Sequence, residues 1–206
     1  VFYMNMVGIE NGYEIVDGGP EVMSASQSML AGAASITVED VTVDEAMGLV
    51  TLQNMAGVDN LDFSIAGDES LSDLSLMQAT AAVEATNVVA GDVSVKDSAS
   101  VIDAVEYSFS APGSLSYLLA EVQQVTVTTT DGDDLTMYYN LVGVADVIEL
   151  NGSVTLTVDQ AGLTLTGTGS YEVFDNATAI EDNIASIDGA AEISSSELLT
   201  LTVAEY

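Results

Sequence analysis

The chain has 206 residues, in which 33 Asp and Glu stand against one basic side chain, Lys96, with no His and no Cys, for a formal charge of −32 at neutral pH. That balance excludes nucleic acid and anionic membranes as partners, whose phosphates are held by Lys and Arg. The missing residue types exclude disulfides, thiolate chemistry and the Ser-His-Asp and Cys-His arrangements of nucleophilic catalysis.

Hydrophobic residues make up 48% of the chain, too many for a disordered polypeptide, and the length suffices for one sizeable core or a short array of units. At the N-terminus, Val1-Phe2-Tyr3-Met4 and Tyr13-Glu14-Ile15-Val16 flank Asn11-Gly12, which predicts a first hairpin, ended by Asp17-Gly18-Gly19-Pro20. Residues 24–34 read as a short helix and Ile36-Thr37-Val38 as a strand. Strands are expected over 49–52 and 61–65, then a helix over 74–89. A strand through Val93 and Val95 leads into a helix starting near Ser98; Ala111-Pro112-Gly113 breaks the chain, and 115–122 is a further helix. Residues 125–130 and 135–139 flank Asp131-Gly132-Asp133-Asp134 as strand, turn and strand. Residues 147–150 and 154–158 flank Asn151-Gly152-Ser153 as a hairpin with type I′ chemistry. Strands over 163–166 and 198–203 complete the reading. Short strands with turns about every ten residues predict a mainly β protein: a repetitive array of antiparallel hairpins with short capping helices, built as a solenoid or as chained sandwiches.

The chain also repeats itself. Val93-Ser94-Val95-Lys96-Asp97-Ser98-Ala99-Ser100-Val101-Ile102-Asp103 returns as Tyr171-Glu172-Val173-Phe174-Asp175-Asn176-Ala177-Thr178-Ala179-Ile180-Glu181, a strand, a cap and a helix start. Ser100-x-x-Asp103 and Thr178-x-x-Glu181 resemble capping boxes, and Ile180, Ile184 and Ile187 line a helical face that Asp188-Gly189 stops. Upstream lies a second phrase, Leu74 to Ala79 and Leu156 to Ala161, with a third version in Val41 to Ala46, which precedes Phe63-Ser64-Ile65-Ala66-Gly67-Asp68. Order is kept while spacers vary, as when insertions fall in the loops of stacked units. The expected organisation is an N-terminal hairpin segment over 1–35, a first unit over 36–75, a second with a β-meander insertion over 76–157, and a third over 158–206.

These phrases, Gln-Ala after one strand and Val-x-Asp-[Ser/Thr/Asn]-Ala-x-x-Ile at the next, resemble repeat modules of bacterial type I-secreted S-layer and RTX-like adhesin proteins across roughly residues 36–206. The resemblance implies an extracellular, cell-surface protein, acidic, free of cysteine and calcium-binding, working as a coat, fibre or adhesin. The glycine-rich nonapeptide of the RTX calcium roll is absent.

A charge this lopsided repels itself unless salt screens it or cations bind it, which predicts cation dependence. Halophilic adaptation competes as an account of the acidity but leaves the loss of every Arg unexplained. One Lys gives trypsin-like proteases a single place to cut, an advantage outside the cell. The start at Val1, with no basic and apolar leader, fits a processed chain or a piece of a longer one. No uncharged apolar run approaches the roughly 18 to 20 residues of a membrane-spanning helix.

Calcium takes oxygen ligands, and the densest donor cluster is Asp131, Asp133 and Asp134, either a calcium loop or a solvated turn. Asp59-Asn60-x-Asp62 and Asp68-Glu69 are weaker versions. The recurring Asp97 and Asp175 either begin helices or hold calcium between units. Eight Met read as gap-filling core, and Tyr138-Tyr139 places one ring on each strand face, one of them toward solvent or a partner. The expected function is therefore non-enzymatic: an extracellular structural protein that self-associates into a surface layer or fibre, its carboxylates neutralised by divalent cations. An adhesin module binding a cell-surface glycan or protein, and a virion or filament subunit, are the alternatives.

Overall fold

The computed structural model describes residues 12–54, 58, 60–105 and 115–201. In chain order the elements are β1 (Glu14–Asp17), α1 (Gly19–Ser24), α2 (Gln27–Leu30), β2 (Ser35–Val41), α3 (Val43–Gln53), β3 (Leu61–Ile65), α4 (Leu76–Ala82), β4 (Ser94–Ser98), α5 (Ala99–Asp103), α6 (Leu115–Glu121), β5 (Gln124–Thr128), β6 (Val147–Leu150), β7 (Ser153–Leu156), α7 (Val158–Ala161), β8 (Thr164–Gly167), β9 (Ser170–Phe174), α8 (Ala177–Asn183) and β10 (Glu192–Ser194), with single 3₁₀ turns at Ala90–Asp92, Leu141–Gly143 and Ile184–Ser186. The chain forms two compact units, residues 1–71 with 77–92, and residues 72–76 with 93–206. No helix among the described residues is long and apolar enough to cross a membrane.

The first unit holds the sheet β1-β2-β3, in which Glu14 faces Ser35 and Ile36 faces Leu61, both pairs parallel. Parallel neighbours need a crossover, supplied by α1 with α2 and then by α3. Ile36, Val38, Leu61, Phe63 and Ile65 alternate into the core, where Val43, Ala46 and Leu49 of α3 meet them. Thr42 starts α3 by accepting the Glu45 N–H, while the Glu45 carboxylate accepts the Thr42 N–H. This capping box commits residues 49–52, expected as a strand, to a helix. Asp40 (φ 54) makes the bulge that shifts the β2 register between Val38 and Val41. Beyond β3 the ladder continues through a side chain: Asn87 accepts the Ile65 N–H and donates to the Ile65 carbonyl.

The second unit holds the sheets β4-β5-β6-β8 and β7-β9-β10, again with every pair parallel. The protein is thus an α/β fold of parallel coils, and the expected array of antiparallel hairpins is wrong. Alternation with period two reports a strand with one buried face, whatever the direction of its neighbour. Glycine-rich turns, taken as hairpin tips, are instead the bends of each coil.

The clearest case is Asn151-Gly152. The strands on either side, β6 and β7, lie in different sheets, and Gly152 is small because a Cβ there would sit 2.5 Å from the Asp131 Cα of the coil beside it. The next bend stacks on this one: a Cβ on Gly169 would lie 2.2 Å from the Gly152 carbonyl oxygen, and one on Gly167 (φ +89) 2.3 Å from that of Leu150. Asp131-Gly132-Asp133-Asp134 is likewise no hairpin tip. It runs parallel to β7, with the Gly132 N–H on the Ser153 carbonyl and the Leu135 N–H on that of Thr155.

Residues 135–139 are turns rather than a strand, because the Asp134 carboxylate takes both the N–H and the hydroxyl of Thr136 and folds the chain over. Tyr138 is half-buried and Tyr139 is 84% exposed. Met29, Met77 and Met137 are exposed, against the reading of the methionines as core. Residues 198–201 carry no strand, which falls earlier, at β10. Val1-Phe2-Tyr3-Met4 lies outside the described residues, and the partner of β1 is β2.

Candidate functional site

The recurring Asp97 and Asp175 do the same work. Asp97 Oδ1 accepts the Ser98 N–H at 2.8 Å and its Oδ2 the Leu76 N–H at 3.1 Å. Asp175 Oδ1 accepts the Asn176 N–H at 2.7 Å and its Oδ2 the Val158 N–H at 3.0 Å. Leu76 and Val158 are the first residues of α4 and α7, and each of those helices follows a strand position paired with the Asp-bearing strand (Leu74 with β4, β7 with β9). One carboxylate therefore fixes its own turn and also closes the orphan N–H at the start of the neighbouring coil's helix. Glu69 and Glu197 reach Val43 and Ala177 N–H groups in the same manner at 3.4 Å, and Asp146 holds the Val125 N–H at 2.8 Å.

A third copy of this motif went unread in the sequence. Tyr13-Glu14-Ile15-Val16-Asp17-Gly18-Gly19 aligns with Tyr171-Glu172-Val173-Phe174-Asp175-Asn176-Ala177. Asp17 Oδ1 accepts the Gly18 N–H at 2.9 Å, and Gly18, Ser98 and Asn176 hold nearly the same extended N-cap conformation, with φ/ψ of −74/161, −70/155 and −69/154. The residue after each cap, Gly19, Ala99 or Ala177, is small and buried. Four residues before each Asp, the carbonyls of Tyr13, Val93 and Tyr171 accept N–H groups of Ala34, Gln123 and Ala191, which lead into the next strand. The likeness extends to Gly32-Ala33-Ala34 and Gly189-Ala190-Ala191, where a Cβ on Gly32 or Gly189 would stand 3.0 Å from the Tyr13 or Tyr171 hydroxyl. The signal was a Tyr-Glu pair at the same offset from Asp, hidden by reading Asp17-Gly18-Gly19-Pro20 as a turn.

The Gln-Ala phrase is the second fixture. Thr157 and Gln160 form a capping box, and Gln160, 1% exposed, extends its Nε2 to the carbonyls of Leu135 at 2.8 Å and Tyr138 at 3.1 Å. Thr42 and Glu45 form the matching box, whereas the boxes expected at Ser100/Asp103 and Thr178/Glu181 are not made. Ser98 and Asn176 are the true caps there, and Asn176 accepts the Ala179 N–H.

The carboxylates of Asp131, Asp133 and Asp134 are also spent on hydrogen bonds, the first across to the neighbouring coil and the other two locally. Asp131 accepts the Ser153 N–H, Asp133 the N–H and hydroxyl of Thr130, and Asp134 those of Thr136. Among the described residues no group of three or more Asp and Glu is placed to hold a metal, and the oxygens of Asp131, Asp133 and Asp134 do not converge on one. Lys96, on β4, lies 2.6 Å from Glu149 on β6. The Glu149 hydrogen bond raises its ammonium above the ordinary lysine value against the opposing effect of burial, and Asp73 adds to the rise. Burial, with the charge of Asp188 assisting, raises the Tyr171 phenol.

No protein-family model, curated protein or solved structure matches the chain.

Asp175→Ala, which strands two backbone N–H groups, is expected to cost about 2 kcal/mol. The loss in a urea titration should be the same in chelator and in millimolar calcium if the carboxylate is a cap. A calcium-induced gain that disappears in this variant would instead make Asp175 a metal ligand.

Proposed function

We propose that the chain is a structural module of an extracellular surface layer or fibre, whose work is self-association rather than turnover, with divalent cations such as calcium offsetting its charge. The observation that carries this reading is the use of recurring carboxylates as coil-to-coil fasteners. Asp97, Asp175, Glu69 and Glu197 are each spent on a backbone N–H of a neighbouring coil. Acids employed this way build a repeating scaffold, and with 33 acids facing one Lys, molecules of it approach one another only when cations intervene. The resemblance of the repeated phrases to surface-protein modules supports the same reading.

Thermal unfolding with light scattering, in chelator, calcium, magnesium and sodium at matched ionic strength, tests it. Cations that bind the folded, assembled state raise its stability by mass action. The expected result is a rise in melting temperature together with particle growth, larger in calcium. An equal response to every salt would reduce the effect to screening. A monomer indifferent to all of them would overturn the proposal.

A further inference from the structure

We infer that β1 is a receiving edge, built to take one more strand–helix coil of the kind formed by β7 and α7, and that Asp17 is the fastener for it. This goes a step beyond the proposed role by naming where such a module is extended. The inference rests on the equivalence of β1 with β4 and β9. Each of those strands has a neighbour on both sides: Leu74 and β5 flank β4, and β7 and β10 flank β9. Among the described residues β1 pairs with β2 alone.

The outward groups of β1 are in the register that the filled copies use. In β4, the Ser94 carbonyl accepts from the Leu74 N–H and the Lys96 N–H donates to the Leu74 carbonyl. Ser94 and Lys96 stand three and one residues before Asp97, as Glu14 and Val16 stand before Asp17. Tyr13 turns its carbonyl to Ala34, so backbone alternation turns the Glu14 and Val16 groups away from β2. Burial agrees: Val95 and Val173 are fully buried between two neighbours, while Ile15 in the same place is half-buried. Asp17 Oδ1 is held by the Gly18 N–H, and Oδ2, which in Asp97 and Asp175 takes the helix-start N–H, has no partner among the described residues.

These features specify the occupant. It is a parallel strand followed at once by a helix whose first N–H is free, as Val154 pairs with Tyr171 and Val158 donates to Asp175. Fusing a copy of residues 153–163 directly ahead of Val1 would place its helix-start N–H 22 residues before Asp17, by the count of the fused sequence. The fasteners already present bridge 17, 20, 21 and 26 residues.

Hydrogen exchange on the full-length fusion and on the unfused chain tests the inference. The expected result is protection of the Glu14 and Val16 amides that rises at least about tenfold in the fusion. Asp17→Asn in the fusion keeps the Oδ1 acceptor but turns an amide donor toward the incoming N–H, and should return the gain to near its unfused value. Equal exchange at both amides in fused and unfused chains would overturn the edge. Full protection surviving Asp17→Asn would overturn the fastener. Cation-driven assembly is read separately by scattering, so failure of the fusion leaves that reading standing, and failure of assembly leaves this one.

Discussion

Replacing Gln160 by Leu is expected to lower the stability of the second unit by about 3–5 kcal/mol, a large part of the roughly 5–15 kcal/mol that holds a domain. The side chain is fully buried and spends every polar atom it has: Oε1 on the Thr157 N–H, and Nε2 on the carbonyls of Leu135 and Tyr138. Leu fills the space but leaves those two carbonyls without their donor and opens the capping box, itself worth about 1 kcal/mol. The measurement is the urea midpoint at unchanged m-value.

Gln160→Glu sharpens the test. A carboxylate would face two carbonyl oxygens, which raises its folded-state pKa above the unfolded value of about 4.3. The folded state then binds more protons than the unfolded state over that interval, so stability falls as pH rises from about 4.3 through the folded pKa and is recovered on acidification. A variant whose stability relative to the parent is flat across this range would show that Nε2 does not hold these carbonyls.

Gly169→Ala is expected to cost about 3 kcal/mol, lowering the melting temperature by roughly 6–12 °C in a chain of this size. The added methyl would lie 2.2 Å from the Gly152 oxygen and 2.7 Å from its nitrogen, both backbone atoms that no rotamer change can move aside. The two stacked bends must separate, which strains the hydrogen bonds from Gly169 to Leu150 and from Ser170 to Gly152. Gly143→Ala, with nothing within 4 Å of the new methyl, is the matched control and should be neutral or slightly stabilising. Equal melting of the two variants would refute the close approach of the coils at this corner.

Much of the local structure was legible in the sequence, and the connection between strands was not. The strands around Ile36, Leu61, Val95, Val125, Ile148, Val154 and Leu165 were readable from their period-two alternation and β-branched residues, although β5 and β6 bury residues on both faces. Their parallel pairing was not, because a Gly-containing pair such as Asn151-Gly152 serves a hairpin turn and a coil bend equally well. What distinguishes them is the backbone of another coil, Asp131, 21 residues from Gly152 in sequence and 2.5 Å from where a Cβ on Gly152 would be. The recurrence of Asp97 and Asp175 was visible, and helix initiation was one of the two roles read from it. The second hydrogen bond of each, to the helix of the neighbouring coil, depends on a stacking that no local pattern reports. Asp17 was missed for a different reason: Gly18 and Gly19, doing the work of Ser98-Ala99 and Asn176-Ala177, carry a stronger turn signal than a cap signal.

The order of the strands has a temporal side. Among the described residues every paired strand finds its partner within 30 residues along the chain, the longest reach being Ser94 to Gln124. Nothing made late has to be threaded beside something made early, and each coil closes on one already in place. Such local pairing keeps the entropic cost of each closure small and favours rapid folding. The polypeptide can therefore acquire its structure in the direction of its synthesis, coil by coil as it emerges, each new strand pairing with one already made.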